Sequence, residues 1–237
     1  MQPSIVQVYF PERERSYAYY NDQFELEPGD LVFVDGKLEG VPGRVESVSY
    51  NFKINLADYK RVIGKSIASV EGEFQIAGTR MVTFDPNAAP FEKILTHFRG
   101  PDPEGTQWLR GSDGKMFSLE SLKDFGFTEI AFARGYEYYE QDKVVYVSIQ
   151  NGEGRAIVKG SRPYVVEFTY QEGQIGNLTC ECFCTSPCKH QAAVLLQVKE
   201  TLTFLEKFPP SNYFATLTKE LFAGILLNPH KGVIRLG

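Results

Sequence analysis

The stretch TCECFCTSPCKH, residues 179–190, holds all four cysteines of the 237-residue chain and one of its three histidines. Two pairs stand out in it, Cys180 with Cys182 and Cys188 with His190, separated by a spacer of five residues. Structural zinc takes four thiolate or imidazole ligands in a tetrahedron, and closely spaced ligand pairs are typical of such sites. We therefore predict one structural Zn²⁺ site with these four side chains as its ligands.

Cys184, inside the spacer, leaves a second ligand set open, in which it replaces Cys180. Only three residues would then separate the two pairs. We prefer Cys180, because the longer spacer lets one pair fold over the other, and we interpret Cys184 as a spare thiol. The clustering argues against a disulfide framework, whose cysteines are spread along the chain. A reduced cysteine cluster without metal is the other alternative.

A zinc ion with four protein ligands has no open position for a water or a substrate, which a catalytic zinc needs. Glu181, between the first two ligands, could serve as a base, but a solvated carboxylate on the opposite face of the strand explains it better. The sequence contains no GxxxxGK[ST], GxGxxG, HExxH or GxSxG motif and so has no nucleotide-binding or hydrolase signature. We predict that the protein is not an enzyme and expect no small-molecule substrate.

The segments around the site predict an antiparallel meander between helices. A helical pattern at 129–141 leads into four runs that are typical of strands, separated by turn signals, at 143–149, 154–160, 164–170 and 175–182. The last run carries the first ligand pair. Apolar residues at spacings of three and four predict a helix over 189–208, and the second ligand pair lies at its start. A further helix is predicted over 213–226.

This arrangement resembles the SWIM zinc-finger family, whose pattern is C-x-C, a variable spacer and C-x-H on a strand-strand-helix unit. The lead-in ARGYEYYEQDKVVYVSIQNGEGRAIVKGSRPYVVEF, residues 133–168, is also similar to the family's "G..Y...G.V" and "V.GS..Y.V". The resemblance spans residues 128–205. It implies a domain found in bacterial, archaeal and eukaryotic proteins, often beside helicase-like ATPases, and thought to bind DNA or other proteins.

The N-terminal half predicts short strands, IVQVYF, SYAYY, LVFV and GRVESVSY, separated by turn signals such as Pro28-Gly29-Asp30. The phrase LEPGDLVFVDGKLEGVPGRVESV, residues 26–48, resembles the turn and strand pattern of small SH3-like barrels. The two prolines of DPNAAP, residues 85–90, disfavour a continuous helix or ladder and make this run the best linker candidate.

These observations predict an α+β fold: a small β-barrel-like domain, then an antiparallel meander plus helices that carry the zinc finger. We place the β-rich SH3-like barrel candidate at 1–86, a connecting helical and loop segment at 87–127, and the SWIM-type domain with C-terminal helices at 128–237. The chain has no apolar window of membrane-spanning length and no signal-peptide pattern at its start, so we expect a cytoplasmic protein without a membrane contact.

With a net charge of −5 and a pI near 5.4, the chain as a whole lacks the excess of basic residues that is typical of nucleic-acid-binding proteins. Local contacts are a hypothesis, because basic and aromatic side chains occur together near the finger, namely Arg155, Lys159, Arg162, Lys189, Tyr136, Tyr138, Tyr139, Tyr146, Tyr164 and Phe183. Such a mixture can hold phosphates and stack on bases, or it can be core aromatics with solvated charges. We expect a DNA-binding module or a partner of a helicase-like ATPase. The alternatives are a protein-protein adaptor and a thiol enzyme that uses Cys184.

Overall fold

The computed structural model describes residues 1–102, 105–184, 187–209 and 211–226, and the backbone of 234–236. Two β-sheets and four α-helices in these residues make a mixed fold, which confirms the predicted α+β class. Backbone contacts divide the chain into two compact units. The first unit is built chiefly from Met1–Ser69 and Glu92–Trp108, and the second chiefly from Val70–Phe91 and Leu109–Gly224.

The first unit contains a five-stranded antiparallel sheet. Its strands are β1 (Ser4–Phe10), β2 (Arg15–Asn21), β3 (Leu31–Val34), β4 (Gly43–Ser49) and β5 (Val62–Lys65), in the order β2-β1-β4-β3-β5. The first four are the four strands that the sequence predicts. The SH3-like barrel, however, does not close, because in the described chain the edge strands meet through only one isolated bridge, Tyr20 to Arg61.

The core of the first unit follows from strand alternation. Val6, Val8 and Phe10 stand at every second position of β1 and are fully buried, as side chains on one face of a strand must be when that face covers a core. The predicted turn before β3 is present, with Gly29 at a φ of 97° that glycine adopts without strain. Asp30 closes the turn, because its carboxylate accepts the backbone N–H of Glu27 at 2.8 Å.

The second unit contains a nine-stranded sheet. Its strands are β6 (Gly72–Ala77), β7 (Arg80–Thr83), β8 (Met116–Ser118), β9 (Val144–Gln150), β10 (Glu153–Lys159), β11 (Pro163–Gln171), β12 (Gln174–Cys180), β13 (Tyr213–Thr218) and β14 (Ile234–Leu236). Their order is β14-β6-β7-β13-β9-β10-β11-β12-β8, and all pairs are antiparallel except β14 with β6. The run β9 to β12 is the predicted meander. The strands β6 and β7 lie within the predicted domain 1–86. The domain boundaries predicted after residues 86 and 127 stay a prediction.

The helices are α1 (Phe91–Leu95), α2 (Glu129–Glu140), α3 (Lys189–Leu205) and α4 (Lys219–Leu226). Helices α2 and α3 appear where the sequence predicts them. The predicted helix over 213–226 is wrong in its first half, which forms the strand β13 between β7 and β9. All six residues of β13 are buried, so the strand lacks the alternation that would have distinguished it from a helix. In the described part of the chain no helix is both long and apolar enough to cross a membrane.

Helix α3 is the element that carries the second ligand pair, and it packs tightly. Its buried side chains include Ala193, Val194, Leu195 and Val198, which belong to the same apolar cluster as the buried residues of the meander. Helix α2 crosses α3 at Gly135, where an added Cβ would lie 2.5 Å from the Cβ of Ala192. A glycine is therefore required for this close approach.

Candidate metal centre

The four predicted ligands come together where β12 ends and α3 begins. Cys180 is the last residue of β12, Cys182 follows two residues later, and Cys188 is the N-cap of α3 with His190 in its first turn. One ligand atom from each of the four lies within 4.8 Å of the others. Cys188 and His190 are buried, whereas Cys180 and Cys182 are half-buried. A strand end and a helix start thus form one cluster of donors.

The measured separations fit a tetrahedral ion. The Nδ1 atom of His190 lies 3.7 Å from the Sγ of Cys180 and 3.8 Å from the Sγ of Cys188. A tetrahedral zinc with Zn–S near 2.3 Å and Zn–N near 2.0 Å has S···N edges of about 3.6 Å. Three sulfurs and one nitrogen also form the donor set that soft thiolate sites present to zinc. The cluster can therefore hold one metal ion, with His190 binding through Nδ1.

A neighbouring glutamine fixes the start of α3 against β12 without help from a metal. The backbone N–H of Cys188 donates to Oε1 of Gln191 at 2.8 Å, which satisfies one free donor at the helix start. The side-chain amide of Gln191 donates in turn to the carbonyl of Leu178 at 3.0 Å. Sequence reasoning missed Gln191. Its signal was a glutamine three residues after the N-cap, the position of the reciprocal residue in a capping box.

Two tyrosines orient the imidazole of His190. The ring of Tyr164 stacks on it, with centroids 4.3 Å apart and planes at 21°, and the ring of Tyr138 meets it edge-on at 5.5 Å. The hydroxyl of Tyr138 accepts a hydrogen bond from the Lys189 ammonium at 2.8 Å. The imidazole is 4% exposed, so packing rather than solvent decides which nitrogen faces the thiols. Ligands held in this way lose little freedom when they bind a metal.

The pKa values of the three thiols are shifted in different directions. A hydrogen bond from Cys180 holds the pKa of the Cys188 thiol far below its usual value, and a further hydrogen bond with His190 acts in the same direction. The hydrogen bond to Cys188, together with burial, keeps the pKa of Cys180 far above the usual value. Burial also raises the pKa of Cys182. A metal bound to all three sulfurs must therefore displace protons from Cys180 and Cys182.

The remaining residues of the motif lie outside the cluster. Cys184 is exposed and is not among the four residues whose donors meet, so the alternative set that replaces Cys180 is not the one that the geometry assembles. The carboxylate of Glu181 is not simply solvated, because its Oε2 accepts the backbone N–H of Val165 at 3.4 Å. The spacer residues 185 and 186 lie outside the described residues.

The basic and aromatic side chains named from the sequence do not all lie at the surface. Tyr146 is a core residue, fully buried with its hydroxyl bonded to the carbonyl of Ala89 at 2.8 Å. Arg155 lies over the ring of Phe91. In contrast, Arg162 and Phe183 are exposed, and Arg162 donates to the carbonyl of Glu181 at 3.1 Å. Part of the predicted mixture is therefore core, and another part lies beside the donor cluster.

Comparisons with family models, with curated proteins and with solved structures find no match for this chain. The resemblance to the SWIM family therefore depends on the motif residues alone and stays a prediction. The donor cluster itself does not depend on that resemblance, because the positions of its four side chains define it.

Proposed function

We propose that the chain is a non-catalytic zinc-binding module, and that Cys180, Cys182, Cys188 and His190 hold one structural Zn²⁺. The observation that carries the proposal is the convergence of four donors within 4.8 Å. Four protein ligands complete a tetrahedron and leave no position for a reacting water. The bound ion would fasten the end of β12 to the start of α3, so its binding free energy would add to folding free energy.

Metal analysis tests this proposal directly. Protein purified without added metal should carry about one zinc per chain, as a closed structural site requires. Cys182→Ser should lose the zinc, whereas Cys184→Ser, two residues away, is the matched control and should keep it. Substoichiometric zinc in a protein that is folded would contradict the proposal. Zinc loss in the Cys184→Ser variant would point to the alternative ligand set.

For the biological role, we infer that the module contacts DNA or works in a DNA-handling complex, with a helicase-like ATPase as the expected partner class. The support is the motif resemblance together with the exposed basic and aromatic residues beside the donor cluster. The second candidate is a protein-protein adaptor, which the net charge of −5 favours.

A binding titration over a salt series separates the two roles. Affinity for mixed-sequence DNA should be measurable at low salt and should fall as salt rises, because phosphate contacts release counterions. Both duplex and single-stranded DNA are tested. Absence of affinity for either at low salt would remove the nucleic-acid role and leave the adaptor role.

A further inference from the structure

Phe183, which follows the first ligand pair, exposes 95% of its surface. Among the aromatic side chains that the structure describes, the next most exposed is Trp108 at 54%. Single exposed apolar residues are ordinary on protein surfaces, so exposure alone assigns no role to Phe183. The guanidinium of Arg162 near its ring distinguishes it from such residues.

Four neighbouring side chains lead from the donor cluster to the surface. The guanidinium of Arg162 lies 5.6 Å from the ring centroid of Phe183 and 5.2 Å from that of Tyr164. The ring of Tyr164 stacks on His190 at 4.3 Å. A guanidinium is attracted to aromatic faces, so Arg162 links the half-buried Tyr164 to the exposed Phe183. We call His190, Tyr164, Arg162 and Phe183 the stacking column.

The column is held in place by hydrogen bonds at two of its layers. Arg162 donates through Nη2 to the carbonyl of Glu181 at 3.1 Å. The hydroxyls of Tyr164 and Ser161 lie 3.0 Å apart. A surface whose side chains are already fixed loses less conformational entropy when a ligand binds. Phe183 lies next to this fixed Arg162, and its ring stays almost entirely open to solvent.

The charges at this end of the meander are nearly balanced. The basic residues are Lys143, Lys159, Arg162 and Lys189, and the acidic ones are Glu140, Asp142 and Glu181. Neutralisation of phosphates supplies most of the non-specific affinity for duplex DNA, and this surface has little charge to spare for it. A duplex keeps its bases stacked on one another, whereas an unpaired base has a free face to offer to an exposed aromatic ring. The chemistry therefore favours a single strand over a duplex.

We propose that Phe183, with Arg162 beside it, is a stacking platform for an unpaired base of a single-stranded nucleic acid. The proposal depends on the nucleic-acid role proposed above and narrows it to unpaired bases. Arg162 would contribute a positive charge beside the ring, within reach of the phosphate that follows the stacked base. The metal would act only through the support, by holding His190 at the foot of the column.

The test uses the full, zinc-loaded chain and fluorescence anisotropy with dye-labelled oligothymidylate of about 15 nucleotides, a length that spans typical single-strand sites. Oligouridylate and a duplex of the same length are the comparison ligands. Phe183→Ala should weaken oligothymidylate binding about 5- to 100-fold, the usual effect of removing one stacking ring. Phe183→Trp should retain binding. Leu109→Ala, at a side chain that is 93% exposed, is the matched control and should bind as the original chain does.

Each outcome decides something. If the original chain binds oligothymidylate and Phe183→Ala binds it equally well with its zinc intact, the stacking platform is wrong while the nucleic-acid role stands. Tighter binding to the duplex than to either single strand would also overturn the platform. If the original chain binds none of the three ligands, the platform and the nucleic-acid role both fail, and a protein partner becomes the better explanation.

Discussion

The two units stabilise their strands in different ways. The first unit is held by backbone ladders over an aliphatic and aromatic core, and its two main segments contain no cysteine. The second unit has its own apolar core, but the end of β12 and the start of α3 also meet in a cluster of four metal donors. We therefore expect the stability of only the second unit to depend on a bound metal.

The largest expected effect is the loss of the proposed metal from the second unit. Structural zinc contributes about 10 kcal/mol or more of binding free energy in zinc-finger peptides, so Cys188→Ala should destabilise the second unit by more than any single core substitution. Hydrogen exchange should show lost protection at the end of β12 and the first turns of α3, with β1 to β4 unchanged. Equal loss of protection in both units would contradict the confinement of metal dependence to the second unit. Chelation of the original chain should reproduce the pattern.

The converse change removes a core side chain from the first unit. Phe10 is fully buried, and Phe10→Ala should cost about 3–5 kcal/mol, the usual range for deleting a buried aromatic ring. Hydrogen exchange in β1 and β2 reports the loss locally, which a single melting curve of two units does not. Zinc content should stay at about one per chain, as for an intact four-ligand site. A fall in zinc content would show that the metal site depends on the first unit.

The difference between the units was partly readable from the sequence. The run IVQVYF, set off by turn signals, predicted β1, and the spacing of the cysteines with His190 predicted which donors meet. Both signals are local, since one strand or one short motif carries each of them. The α+β class followed from the same local patterns.

Other features were beyond sequence reasoning because they depend on contacts between distant residues. Tyr164 stacks on His190 although 25 residues separate them in the chain. The segment Tyr213–Thr218 is a strand between two others, and a short apolar run buried on both faces has no period that separates strand from helix. The first sheet stays open because its edges share only one isolated bridge among the described residues, a long-range pairing that the turn and strand pattern did not reveal.

A smaller effect should come from the crossing of α2 and α3, which depends on packing rather than on the metal. In Gly135→Ala the new Cβ would lie 2.5 Å from Ala192 Cβ and 2.9 Å from the carbonyl oxygen of Lys189. Overpacking of this kind costs about 1–3 kcal/mol. The matched control is Gly224→Ala in α4, where nothing lies within 4 Å of the new atom and where the higher helix propensity of alanine should stabilise the helix by up to about 1 kcal/mol.

The free energies of unfolding are measured by urea unfolding of the zinc-loaded chain. Changes of opposite sign for the two glycine substitutions would confirm that the crossing of α2 and α3 has no room for a larger residue at position 135. A stabilising effect of Gly135→Ala would mean that α2 has room to move away from α3. The stability of the second unit would then owe less to the packing of α2 on α3 and more to the proposed metal.

The smallest effect tests whether α2 is independent of the metal. The Oγ1 atom of Thr128 accepts the backbone N–H of Ala131 at 3.1 Å and caps the helix. Thr128→Ala should cost about 1 kcal/mol, whereas Thr128→Ser keeps the hydroxyl and should cost much less. Hydrogen exchange in the first turn of α2 measures both. The side chain of Thr128 bonds to Ala131 and not to one of the four predicted metal ligands. The loss of stability should therefore be the same with zinc bound and after chelation. A cap effect that disappears on chelation would show that α2 folds only when the metal holds α3, and metal dependence would then extend across both helices of the second unit.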